Sequence, residues 1–300
     1  MRISFIMLLV IINLVVSPEV EAKLRVVTTL PDFASIAGEL GGDRVTADSL
    51  IRGTQDPHFV DARPSLILGL SRADLLIRIG MELEDGWLPV LLNQSRNGAL
   101  TMGKTGYLDA SNLIEPMGRV ANPDRSMGDV HSQGNPHYYT SPRELFAVAE
   151  EIYNRLTILD PDGFDYYSQR WAEFSKKYQL KTKEWQNKVQ SLKGTNVIVY
   201  DESWIYLVDW IGFKQAGALE PVPGVPPSPA HIAGLLNGVK TKDIKFVFQE
   251  IYHPNNLSRI FAKKAGARLL VLPSMVGAEP GIKSIWDKFD RIVELLTATN

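Results

Sequence analysis

The chain has 300 residues, 45% of them apolar, with no cysteine, five histidines and a formal net charge of −2. The lack of cysteine excludes disulfides and thiolate metal sites, so any metal must take nitrogen and oxygen ligands. The near-neutral charge leaves no electrostatic footprint for nucleic acid, and the length suffices for two domain cores.

Residues 1–22 read as an export signal. Arg2 supplies the positive region, residues 6–16 are almost wholly apolar, and Val20-Glu21-Ala22 ends on a small residue before the polar Lys23. The apolar run is too short to span a bilayer comfortably, and with no cysteine after it a lipid anchor is not expected. Loss of Arg2, Glu19 and Glu21 with this segment leaves one more acid than base, a net charge of −1. The mature protein is expected to be soluble and periplasmic, or otherwise exported.

From there strand and helix patterns alternate. Leu24-Arg25-Val26-Val27-Thr28-Thr29 is a β-branched run, after which Phe33, Ile36, Ala37 and Leu40 recur at helical spacing, with Pro31 placed to open the helix. Residues 45–51 read as a second strand leading into Gln55-Asp56-Pro57-His58, and residues 73–79 as a third ending at Gly80. A second proline turn, Gly134-Asn135-Pro136-His137-Tyr138-Tyr139, also presents a histidine. Steps of this size predict parallel βαβ units, forming an N-terminal α/β lobe over residues 23–155.

Residues 156–193 are predicted to hold a long linking helix. Between 164 and 192, Phe164, Tyr167, Trp171, Phe174, Tyr178, Trp185, Val189 and Leu192 keep mostly three- and four-residue steps. About 29 residues at 1.5 Å each reach roughly 44 Å, enough to run along a whole domain. The aromatic seam argues for a rigid helix packed on both lobes rather than one arm of a coiled-coil dimer. A monomer is expected, and a single helical connection would limit hinge motion.

Residues 194–300 repeat the pattern as a C-terminal α/β lobe. Strands are predicted at 196–200, ending at Asp201, at 245–249, ending at Glu250, and at 268–272, ending at Pro273, with helices over 257–265 and 285–296. The proline-dense segment Glu220-Pro221-Val222-Pro223-Gly224-Val225-Pro226-Pro227-Ser228 reads as an ordered loop that borders the cleft or meets a partner. The fold class is α/β, two lobes with parallel sheets joined by a long rigid helix.

These pieces carry a resemblance. Val26-Val27-Thr28-Thr29-Leu30-Pro31, Gln55-Asp56-Pro57-His58, Ala73-Asp74-Leu75 followed by Gly80-Met81-Glu82-Leu83-Glu84, Gly134-Asn135-Pro136-His137-Tyr138, and Asp201-Glu202-Ser203-Trp204-Ile205-Tyr206-Leu207 occur in that order over nearly the whole mature chain. The ordered set resembles the zinc/manganese-type solute-binding proteins of ABC transporters, the ZnuA-like group. The resemblance implies a divalent transition metal, Zn²⁺ or Mn²⁺, held in the cleft between two lobes and delivered to a membrane permease, with no organic cofactor and no enzymatic activity.

The resemblance also implies a ligand set. His58 and His137 match the two first-lobe ligands, and the chemistry agrees, since neutral imidazole suits such metals and a preceding proline restricts the turn that presents it. The third ligand position, His or Glu in the family, falls on Asp201, which could alternatively cap the following helix or yield to Glu202. The family's last ligand, an aspartate, has no counterpart in residues 271–281. Glu250, at the carboxyl end of a strand, is the substitute, ahead of Glu279. Of the other histidines, His131 reads as a solvated loop residue that could serve as an auxiliary ligand, His231 as the start of a helix, and His253 as exposed. The long His-rich loop of many zinc importers is absent between Tyr107 and Gly134.

An exported zinc hydrolase with a His/His/carboxylate site is the alternative from another class. No His-Glu-x-x-His spacing supports it. Acid is expected to release the metal as imidazoles gain protons below about pH 6.5.

Overall fold

The computed structural model describes residues 23–120, 131–222 and 224–298. The export signal expected over residues 1–22 lies outside them. Among the described residues, no helix is long and apolar enough to cross a membrane.

The first half runs β1 (Leu24–Thr28), α1 (Pro31–Gly41), β2 (Val45–Ser49), α2 (Pro64–Ser71), β3 (Leu75–Arg78), α3 (Leu88–Ser95), β4 (Tyr107–Asp109) and α4 (Pro142–Leu159). After α5 (Phe164–Val189) come β5 (Asn196–Val199), α6 (Ile205–Ile211), β6 (Lys214–Ala218), α7 (Pro229–Gly238), β7 (Ile244–Glu250), α8 (Asn256–Ala265), β8 (Arg268–Leu272) and α9 (Ile285–Thr297). All ladders are parallel, in the orders β2-β1-β3-β4 and β6-β5-β7-β8. The fold class is the one the sequence implies. In both sheets the order reverses between two central strands, and such a switch point opens a crevice at the strands' carboxyl ends.

β4 and β6, both edge strands, had no sequence signal. β4 spans three residues, and β6 reads Lys-Gln-Ala-Gly-Ala, with neither β-branched nor alternating character. Pairing with a central strand, rather than propensity, makes them strands.

α5 begins at Phe164, after Pro161-Asp162-Gly163 separates it from α4. Most of its aromatic seam is filled within the chain, while Phe164 at its start is exposed. Tyr167, Phe174, Tyr178, Trp185 and Val189 are buried, and Trp286 of α9 lies 5.2 Å from Phe174 and 5.5 Å from Tyr178 between ring centroids.

The long helix expected between the lobes is α5, and α9 adds a second tie that the sequence did not signal. α9 leaves the second sheet and returns to pack on α5 and α1. One continuous buried cluster therefore runs from Val26 and Phe33 through Trp185 to Phe248 and Ile292. At its centre Lys288 is fully buried and spends all three donors: on Asp32 of α1, on the Tyr139 carbonyl at 2.8 Å, and on the Ser274 carbonyl at 3.4 Å. The Asp32 carboxylate also accepts from Val276 N at 3.1 Å. Both lobes are thereby tied together two residues from His137.

Candidate functional site

Both histidine turns are built the same way. In the first, Asp56 Oδ1 accepts from His58 N at 3.0 Å and meets His58 Nδ1 at 2.8 Å, while Trp87 Nε1 donates to the Pro57 carbonyl at 3.1 Å. In the second, Asn135 Oδ1 accepts from His137 N at 2.9 Å, and His137 Nδ1 lies 2.9 Å from the Tyr139 hydroxyl. An Asp or Asn two residues before the histidine closes each turn, with proline fixing the residue between. Because Nδ1 is engaged, Nε2 is the nitrogen each ring turns toward the cleft, the arrangement that orients an imidazole for a metal.

The rings converge. His58 lies 5.2 Å from His137 and 5.5 Å from His131 between centroids, and the Nε2 atoms of His58 and His131 are 3.4 Å apart. His131 thus belongs to the cluster instead of standing in solvent. Ser132 beside it donates from N and Oγ to Glu82, at 2.5 and 2.6 Å. Glu82 and Met81 hold left-handed backbone, φ 67° and 48°, unusual for residues with a Cβ. The Glu84 carboxylate holds that turn closed by accepting from Ile79 N and Gly80 N at 2.7 and 3.1 Å.

The second lobe contributes from its own switch point. Asp201 follows β5, and Glu250 ends the neighbouring β7. Asp201 divides its two oxygens: Oδ1 accepts from Ser203 N at 2.8 Å, a helix-capping contact, while Oδ2 lies 3.2 Å from His253 Nε2. Capping therefore leaves one oxygen for the cleft. Glu250 is fully buried, and neither of its carboxylate oxygens has a hydrogen-bond partner.

Asp56, His58, His131, His137, Asp201, Glu202, Glu220 and His253 line one cavity of about 70 Å³, closed in part by Gly224. The proline-dense segment accordingly borders the site, with Glu220 accepting from Gly224 N at 2.6 Å. Asn135 Nδ2 donates across the cleft to the Glu202 carbonyl at 2.9 Å, and Tyr206 donates to the Asn135 carbonyl at 2.8 Å. The second lobe thus holds the turn that carries His137.

Glu202 and Glu279, the alternatives to Asp201 and Glu250, are otherwise engaged. Glu202 accepts from Gln215 at 2.7 Å, and Glu279 pairs with Arg291 at 3.0 Å, away from the cavity. The segment around Val276, where the resemblance implies an aspartate, packs under the first lobe instead. A Cβ on Gly53 would come within 2.1 Å of the Val276 carbonyl oxygen. His231 starts α7 as expected, with Nε2 3.0 Å from the Ala218 carbonyl.

His253 departs most from its sequence reading. It is largely buried, stacked on Tyr200 at 4.2 Å between centroids and aimed at Asp201. The Pro254-Asn255-Asn256 turn signal pointed to solvent. The informative feature was its place three residues beyond Glu250, past the carboxyl end of a central strand.

Electrostatics follow burial and crowding. Burial and the neighbouring His58 push the His131 pKa down to about 4 and depress that of His137 as well. Burial would raise Asp201, but His253, His137 and Ser203 hold it below the usual carboxylate range. Glu250 goes the other way, raised well above 4.5 by burial and by Asp201. The cavity thus sets the neutral imidazoles of His131 and His137, with His58 beside them, against carboxylates, a set of nitrogen and oxygen donors suited to a divalent transition metal.

Comparison with known proteins places the chain. It is 24% identical over 257 residues to the zinc-binding lipoprotein AdcA of Streptococcus pneumoniae serotype 4, covering 85% of this chain and 50% of that one. It is 25% identical over 259 residues to the high-affinity zinc uptake system protein ZnuA of Bacillus subtilis, covering 85% of this chain and 79% of that one. The chain thus spans about half the length of the AdcA relatives it matches. A zinc-bound ZnuA deletion mutant superposes with TM-score 0.75 at 24% identity, over 93% of this chain and all of the other. The manganese-bound periplasmic metal-binding protein of Candidatus Liberibacter asiaticus does so with TM-score 0.73 at 21% identity, over 91% of this chain and all of the other. With residues 26–296 matching the model of the zinc-uptake complex component A, periplasmic, the chain belongs to the ZnuA family.

Proposed function

We infer that this chain is the solute-binding receptor of an ABC transporter, capturing Zn²⁺ or Mn²⁺ in the exported compartment and delivering it to a membrane permease. His58, His137 and Asp201 are the core ligands, with Glu250 supplying a second carboxylate. The observation that carries this reading is the cavity's size. About 70 Å³ accommodates an ion and a water or two, whereas pockets for organic substrates run to several hundred Å³. The same limit disfavours hydrolysis of a peptide or ester and capture of an organic chelate.

Purified protein should carry about one metal per chain by elemental analysis. Its melting should rise with added metal by about 4 kcal/mol when free metal is a thousand times the dissociation constant. Metal-free protein whose melting ignores Zn²⁺ and Mn²⁺ would sink the reading.

Affinity should also depend on pH, though not in the way free imidazoles predict. Burial keeps His131 and His137 neutral well below pH 6.5, so they hold few protons for a metal to displace near neutrality. Burial and the neighbouring Asp201 raise the Glu250 pKa, so acid protonates it before an ordinary carboxylate, and the cation must then displace that proton. Affinity therefore falls as the pH is lowered, approaching about tenfold per unit where one proton is displaced. Zn²⁺ dissociation constants measured as the pH is lowered should rise more steeply in wild type than in Glu250→Gln. An equal slope in both proteins would remove Glu250 from the site.

A further inference from the structure

His253 gives the second lobe a ligand set of its own. Its Nε2 lies 3.2 Å from Asp201 Oδ2 and 3.6 Å from Glu250 Oε2, and one donor atom from each of the three lies within 4.8 Å of the others. Donors placed 2.0–2.2 Å from a tetrahedral cation are separated by about 3.3–3.6 Å. Two edges of such a tetrahedron are thus already formed.

Glu250 supplies an independent reason. A fully buried carboxylate with neither oxygen hydrogen-bonded is costly unless it is neutralised, and a cation beside Asp201 and His253 would neutralise it. The three side chains are held in place. Tyr200 stacks on the His253 ring, Gln249 Nε2 donates to the His253 carbonyl at 2.9 Å, and Ser203 N fixes Asp201 through the oxygen that faces away from His253. Asp201 and Glu250 extend from paired strands of one sheet, so no lobe movement is needed to assemble them.

The geometry points to a cation position completed by the second lobe alone, in which Asp201, Glu250 and His253 hold a divalent transition metal without His58 or His137. It rests on the reading of the cleft as a metal site and adds a residue to it. Its consequence is an order of release: when the first-lobe imidazoles withdraw, the cation stays with the second lobe, bound more weakly.

The test uses Co²⁺, followed by visible absorption and equilibrium dialysis on the full chain. The His58→Ala/His137→Ala protein should still bind one Co²⁺, at least about a hundredfold more weakly than wild type. Adding His253→Phe, which keeps a ring to stack on Tyr200, should weaken it at least about tenfold further. Should the alanine pair not fold, His58→Gln/His137→Gln is read in the same way. If wild type binds Co²⁺ and the double variant does not, or if His253→Phe changes nothing in it, the second-lobe position is wrong while the receptor survives. If wild type itself takes up no metal, the receptor reading falls.

Discussion

Substituting His137 with alanine should weaken Zn²⁺ binding by at least about a hundredfold, reducing a metal-induced stabilisation of about 4 kcal/mol to between 1 and 2. The size of the effect comes from position. His137 is 5% exposed, its ring lies between His58 and the second lobe, and Tyr139 engages Nδ1 so that Nε2 is the nitrogen available. Alanine removes a donor that the adjacent Asn135 cannot replace, since it is already committed to the His137 backbone and to Glu202. Truncating a buried ring also costs packing, so each variant's metal-bound melting is compared with its own metal-free melting. A Zn²⁺ shift as large as wild type's would show that the cation sits elsewhere.

The second large effect concerns stability. Lys288→Met should cost about 3–5 kcal/mol, because it leaves Asp32 buried without its cation, and should lower the melting temperature by roughly 10 °C in a chain of this size. Lys288 and Asp32 are both fully buried, and burial pulls the Lys288 pKa down, with Asp32 opposing. Removing both charges, as in Asp32→Leu/Lys288→Met, should recover much of the loss, as replacement of buried pairs by apolar groups often does. Metal-free urea melts of the two single variants and the double check this. A loss below about 1 kcal/mol for Lys288→Met would mean that the pair does not hold the lobes together.

The pair also bears on movement. Its donors and acceptors come from α1, from the turn after His137 and from the segment before α9. Opening the cleft by a wide rotation would strip a buried ammonium of its partners. The bond network therefore favours small shifts of the site loops over a large hinge, a stiffer linkage than one connecting helix would give.

Much of the fold was legible because its elements carry strong local signals. β1, β3, β5, β7 and β8 are apolar runs, and α5 and α9 keep a regular apolar spacing. The edge strands β4 and β6 carried none, because their pairing depends on a neighbour distant in the chain. His58 and His137 were legible for a similar reason: each sits in a turn whose Asp or Asn and Pro act within three residues.

What the sequence determined by itself was the alternation that makes two parallel sheets, the two imidazole turns, and the absence of thiolate chemistry. Tertiary structure alone decided that His131 and His253 join the site, that Asp201 divides its oxygens between a cap and the cleft, and that α9 binds the lobes through Lys288. The physical reason is range. Turn closure and amphipathic period are set by residues a few positions apart, whereas a donor cluster depends on which strand ends two sheets bring together, from residues as far apart as Asp56 and His253.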